Sequence, residues 1–100
     1  MTHVDTPIVL NEAEHRFNLA VEGHVAYVEF ERLAGGGIAY THTIVPQPLE
    51  GRGLGSKLVK HVLDYAATNR LRVRPDCSFV KAYIDRHPEY QSLSLAHGAA

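Results

Sequence analysis

The sequence has little of what would commit it to a special environment. One cysteine, Cys77, cannot close an intrachain disulfide, so no staple substitutes for a core and a reducing, cytoplasmic setting is expected. Charge of either sign is not in excess: ten Lys and Arg stand against eleven Asp and Glu, for a net −1 and a pI near 6.6. No long-range field therefore draws the chain to nucleic acid or to an anionic membrane, and neither is an expected partner. No apolar run approaches the roughly 20 residues of a membrane-spanning helix. The opening Met1-Thr2-His3-Val4-Asp5-Thr6-Pro7 lacks the basic and apolar regions of a secretion signal. Repeats and low-complexity tracts are missing. The seven histidines make no helix-spaced pair, and with a single cysteine no metal-ligand set forms.

What is present describes one globular domain. With 45% hydrophobic and 21% charged residues, 100 residues build a single modest core and hide roughly two-thirds of the unfolded surface. Residues 1–9 read as a lead-in, 10–92 as the domain and 93–100 as a frayed tail. Phe17, Leu19 and Val21 alternate as one face of a strand, and Ala26, Val28 and Phe30 as one face of a second. After Gly35-Gly36-Gly37, a third strand places Ile38, Tyr40, His42 and Ile44 on one face. Pro46 and Pro48 end that strand, since neither donates to a ladder. From Leu54 the period becomes helical: Leu54, Leu58, Val62, Tyr65 and Ala66 share a stripe that Val59 and Leu63 broaden. Leu71-Arg72-Val73-Arg74 is a short strand, and Asp76 caps a second helix of about ten residues that stops before Pro88. The order β-β-β-α-β-α, an antiparallel meander feeding a βαβ unit, predicts an α/β (α+β) mixed sheet. A βαβ unit sets the helix N-terminus beside the carboxyl end of the preceding strand, where α/β proteins bind ligands.

That corner reads Gly51-Arg52-Gly53-Leu54-Gly55-Ser56-Lys57. Glycines let the backbone approach a ligand closely, and the helix that follows aims free N–H groups at the same place, so an anion is the natural occupant. Arg52, Ser56 and Lys57 supply charge and a hydroxyl. A corner-turning role for the glycines fits equally well. The spacing fails the phosphate loop of nucleoside triphosphatases, where lysine follows Gly-x-x-x-x-Gly directly, and a dinucleotide fingerprint would need glycine at Ser56.

The turn resembles the pyrophosphate signature of the GNAT superfamily of acyl-CoA-dependent N-acetyltransferases, Gln/Arg-x-x-Gly-x-Gly/Ala, with Gly53 and Gly55 in the glycine positions. More narrowly, Thr41-His42-Thr43, Val45-Pro46, Leu58-Val59, Pro75 with Cys77-Ser78-Phe79, and Tyr83 with His87-Pro88-Glu89-Tyr90 resemble the short YjdJ-type GNAT-like family. The resemblance spans roughly residues 10 to 92 and implies a minimal acyl-CoA N-acyltransferase fold binding acetyl-CoA or coenzyme A. It implies that the backbone of Gly51, Arg52, Gly53, Leu54, Gly55 and Ser56 holds the pyrophosphate, and that Thr43 and Val45 pair with the pantetheine arm or the thioester carbonyl. It also implies transfer of acetyl to an amine. Glu50 stands where the superfamily carries Gln or Arg, and the chain is shorter than most of these enzymes. Both leave a second reading: a CoA-binding module without turnover, acting as a sensor or partner protein.

Three residues are candidates for the chemistry. Cys77, just past the expected cap, feels the positive end of the second helix, which favours the thiolate; the residue is a candidate to carry acetyl as the thiolate or, as the thiol, to protonate the departing CoA; inert packing is the alternative. His42 interrupts an apolar strand face as a general base or as a satisfied core histidine. Tyr83, two helical turns from Cys77 on roughly the same side, resembles the tyrosine that protonates CoA in many superfamily members, or it is a core aromatic. His87 ends the second helix as a structural residue. Arg70, Arg72 and Arg74 alternate along a strand, a charged edge before a CoA-phosphate contact. A monomer or a homodimer fits the thin core and exposed edge.

Overall fold

The computed structural model describes residues 7–99. Five strands lie side by side in chain order: β1 Val9–Asn11, β2 Arg16–Val21, β3 His24–Leu33, β4 Gly37–Ile44 and β5 Arg72–Pro75. The first four form an antiparallel meander, and β5 returns parallel to β4 after helix α1, Leu54–Thr68. Helix α2, Ser78–Arg86, follows. The expected mixed sheet and βαβ unit are present, with one strand more. β1 begins at Val9, the last residue of the stretch read as lead-in, and pairs Leu10 with Phe17, three residues being too short to show alternation. Residues 1–6 of that lead-in lie outside the described residues.

Both helices cover one face of the sheet. Phe17, Leu19, Val28, Phe30 and Tyr40 point into that layer and meet Leu58, Val62, Leu63 and Ala66 of α1 with Val80 and Ile84 of α2. Tyr40 is fully buried and its hydroxyl donates to the Val62 carbonyl at 2.6 Å, tying β4 to α1; burial pushes the phenol up. The opposite face is open and carries Arg16, Tyr27, Glu29, His42 and Ile44.

β4 does not alternate throughout. Phe30 pairs with Tyr40 but Glu29 pairs with His42, so Thr41 is an extra residue, a β-bulge. The expected face of Ile38, Tyr40, His42 and Ile44 therefore splits: the first two are buried, and His42 and Ile44 are exposed on the other side. One inserted residue reverses every side chain that follows.

From Gln91 to Ala99 the chain is built in, unlike the frayed tail expected over 93–100, of which Ala100 lies outside the described residues. Ser94 is fully buried and bridges Val73 of β5. Its hydroxyl lies 2.6 Å from Nδ1 of His97, whose Nε2 lies 2.5 Å from Asp85. Ser94 also accepts from the Ala96 amide, so this serine is a clasp under the surface.

Candidate active site

After β4, Pro46 leads into a single 3-10 turn, Gln47–Leu49, anchored by fully buried Leu49. Gly51 and Gly53 then adopt left-handed backbone, φ 83° and 74°, and Gly53 is the N-cap of α1. No side chain caps this helix and no acidic residue occupies its first turn. The first helical bond is Lys57 N–H to Gly53 carbonyl, 3.1 Å, so the N–H groups of Leu54, Gly55 and Ser56 have no acceptor within the helix. A Cβ at Gly51 or Gly53 would meet nothing within 4 Å; the space over this backbone is open to a ligand. Uncapped N–H groups at a positive helix end fit an anion such as pyrophosphate.

Gly55 has a different task. A Cβ there would stand 3.1 Å from the Phe79 ring and 3.6 Å from Val45 Cγ2. Its bare backbone lets Phe79, in the first turn of α2, lean across the start of α1. Thr43, Ile44, Val45, Glu50, Gly55 and Phe79 line a cleft of about 350 Å³. It adjoins a hollow of about 220 Å³ lined by Gly51, Gly53, Leu54 and Ser56 among others. The structure thus brings the expected glycine turn, Thr43 and Val45 to one cleft. Phe79 and Glu50 complete its walls; the signal for Phe79 was an aromatic outside the buried 80, 83, 84 stripe of α2.

The side chain of Arg52 is directed elsewhere. Its Nη1 and Nη2 donate to the two carboxylate oxygens of Glu22 at 2.8 and 3.0 Å, on the β2–β3 turn. The fork holds the Glu22 carboxyl below its usual range and raises the arginine. The guanidinium expected around an anion is tied to the hairpin, and its backbone remains in the turn.

Cys77 is itself the N-cap of α2, in place of Asp76, and no side-chain cap bond forms. Arg74 takes Asp76 away: Nε donates to both carboxylate oxygens at 3.0 and 3.1 Å, and Nη2 adds a third bond. The Cys77 N–H donates to the Tyr40 carbonyl at 2.9 Å, continuing the β4–β5 ladder by one bond. Beyond it the strands part. Among the described residues, no backbone bond from the β5 side reaches β4 past Tyr40. Half-buried Cys77 sits in the mouth of this divergence, its thiol donating to Thr43 Oγ1 at 3.5 Å.

The other two candidates stand apart from Cys77. His42 is exposed on the open face with Nδ1 2.8 Å from Glu29 Oε1, and Thr41 Oγ1 also donates to Glu29. Tyr83 is buried toward the core end of α2, stacked on His87 at 3.8 Å and tilted against Tyr90. Cys77, as the N-cap, has extended backbone and precedes the helix, and among the described residues it bonds to Thr43 while Tyr83 contacts His87 and Tyr90. His87 is the C-cap of α2, its Nδ1 2.7 Å from the Tyr83 carbonyl. Arg72 and Arg74 are exposed on β5, and Arg70 turns with φ 58° before it. Among the described residues no cluster of His, Cys, Asp or Glu is placed to hold a metal, and no helix is long and apolar enough to cross a membrane.

The fold that carries this strand, glycine turn and thiol is shared beyond this chain. The NMR solution structure of a GCN5-like candidate N-acetyltransferase from Staphylococcus aureus superposes with a TM-score of 0.72 at 27% identity, covering 93% of this chain and 91% of that one. The family model described as GCN5-related N-acetyl-transferase matches residues 16–93, which run from the start of β2 to the turn after α2. The chain belongs to the GCN5-related N-acetyltransferase family.

Proposed function

We propose that the chain binds acetyl-CoA with the pyrophosphate on the glycine turn and the pantetheine along β4, and transfers acetyl to an amine. The observation that carries this reading is that the hollow beside the uncapped N–H groups of Leu54 to Ser56 adjoins the cleft along the unpaired flank of β4 at Thr43 to Val45, with the Cys77 thiol hydrogen-bonded to Thr43 of that cleft's wall. An amide-bearing arm laid against β4 adds strand-like hydrogen bonds where β5 has left. Val45 and the Phe79 ring give it apolar walls. At its end Cys77 stands beside the thioester, at the N-terminus of α2, with the negative charge of Asp76 matched by Arg74. A thiol in this position suits receipt of the acetyl group by thioester exchange. Tyr83, stacked in the core, supports α2 in this arrangement.

Thermal shift with CoA and acetyl-CoA tests the binding. Ligand at one hundred times Kd adds about 2.7 kcal/mol, a rise on the order of 10 °C for a domain of this size; no rise at millimolar ligand defeats the reading. Labelled acetyl-CoA with amine pools, wild type against Cys77→Ala, tests transfer, and intact mass reports an acetyl adduct on Cys77. Tight binding without transfer would favour the non-catalytic module, to which Glu50 on the cleft wall lends support.

A further inference from the structure

We infer that Glu50 is a specificity-determining residue of the cleft: its carboxylate accepts the hydroxyl of the pantetheine arm and turns away phosphates that carry no such arm. This rests on the CoA-binding reading above and holds with or without transfer. Its structural cause is the place where the two hollows join. Val45, Glu50, Gly55 and Phe79 line both the cleft along β4 and the hollow at the glycine turn. A ligand with one group on the N–H groups of Leu54 to Ser56 and another against β4 has its connecting segment at these four residues.

Glu50 has the wrong charge for a site that only has to hold an anion. It follows the turn Gln47–Leu49 in extended backbone, and its own N–H is already used by the Gln47 carbonyl at 3.1 Å. A carboxylate only accepts. Glu50 therefore brings to the join negative charge and acceptor oxygens, and no donor. Among the described residues no Lys or Arg lines either hollow. The guanidinium of Arg52, in the same turn, forks onto Glu22. A phosphate at this corner thus meets backbone N–H groups on one side and a like charge on the other. The repulsion falls on every phosphate, and it is offset only in a ligand that also brings a donor to the carboxylate. Selectivity is a difference of affinities, and a repulsive element of this kind creates it.

Coenzyme A carries the matching segment. Its arm leaves the pyrophosphate through a methylene and a quaternary carbon bearing two methyl groups, followed by a carbon bearing a hydroxyl, before the amides that pair with a strand. The join offers a counterpart to each part. Val45 and the exposed Phe79 ring present apolar surface to the methyl groups. A side chain at Gly55 would enter the space between them, its Cβ 3.1 Å from the ring and 3.6 Å from Val45 Cγ2. Glu50 is the one residue of the four whose side chain can hydrogen-bond, and an O–H donated to an ionised carboxylate is stronger than a neutral bond.

The test is calorimetric titration of the full chain with three probes: coenzyme A, its analogue with that hydroxyl replaced by hydrogen, and 3′-phospho-ADP, which ends at the pyrophosphate. In wild type, loss of the hydroxyl is expected to weaken binding about tenfold; in Glu50→Ala the same change should cost less than about twofold. Glu50→Gln keeps an accepting oxygen and loses the charge. It should hold coenzyme A within about threefold of wild type and bind 3′-phospho-ADP more tightly than wild type does, by about threefold or more. An equal hydroxyl penalty in wild type and Glu50→Ala, or a Glu50→Gln variant that binds 3′-phospho-ADP no tighter, overturns the assignment. Wild type that binds no coenzyme A overturns the reading beneath it, so the first titration separates the two failures.

Discussion

The two halves of β4 differ in everything but their chain direction. From Gly37 to Tyr40 the strand is zipped on both sides, by β3 and β5, and Ile38, Ala39 and Tyr40 are fully buried. From Thr41 to Ile44 it keeps β3 alone, and its side chains are half-buried or exposed. One half is scaffold and the other is available for chemistry. Backbone left unpaired in the second half offers hydrogen bonds to a ligand, at no loss to a core already completed by the first.

The sharpest way to break this contrast is to truncate each half. Tyr40→Ala is expected to remove about 3–5 kcal/mol, lowering Tm by well over ~10 °C, whereas Thr43→Ala should move Tm by no more than a few degrees and weaken acetyl-CoA binding in calorimetry. Equal losses of stability would erase the distinction. Next in size, Cys77→Ala should abolish transfer while leaving CoA affinity within about twofold, since only the thiol at the mouth is removed. Gly55→Ala tests how the cleft wall is supported. Its Cβ needs room the Phe79 ring occupies, so a loss of about 1–3 kcal/mol is expected, and pairing it with Phe79→Leu should restore stability.

The smallest effect lies far from β4, in the clasp under the C-terminal segment. The Asp85 carboxyl is held below its ordinary value, first by its hydrogen bond to His97. A carboxyl depressed in the folded state contributes stability that is present above its unfolded value, about 3.9, and is lost as pH falls through its folded value. Melting curves of wild type and Asp85→Asn should therefore differ slightly at neutral pH and converge once pH falls below the depressed folded value of Asp85.

The glycine corner was legible in the letters because its signals are local: glycines where φ is positive, then a 3.6-residue apolar stripe from Leu54. The expected strand faces of β2 and β3 were legible for the same reason. What escaped depends on partners distant in sequence. Nothing in Tyr40-Thr41-His42 announces a bulge, which arises from pairing with Phe30 and Glu29. Asp76 has the chemistry of a cap, yet Arg74 claims it. Ser94 looks like any polar tail residue until Val73 is beside it. Glu29 and Glu22, separated from His42 and Arg52 by 13 and 30 positions, became visible only across the sheet and the hairpin.

The bridge from Ser94 to Val73 has a consequence for how the molecule behaves in a crowd. A sheet's outer strands offer unsatisfied backbone to other chains, the usual start of aggregation. Here one border strand, β1, is only three residues long, and the other, β5, is partly covered by the chain's own returning segment. The second half of β4, Thr41 to Ile44, also lacks a strand on its β5 side among the described residues, but it is internal, recessed beside the start of α2. Its open backbone lies inside a cleft rather than on the rim, where a slender chain can pair with it and a second sheet cannot.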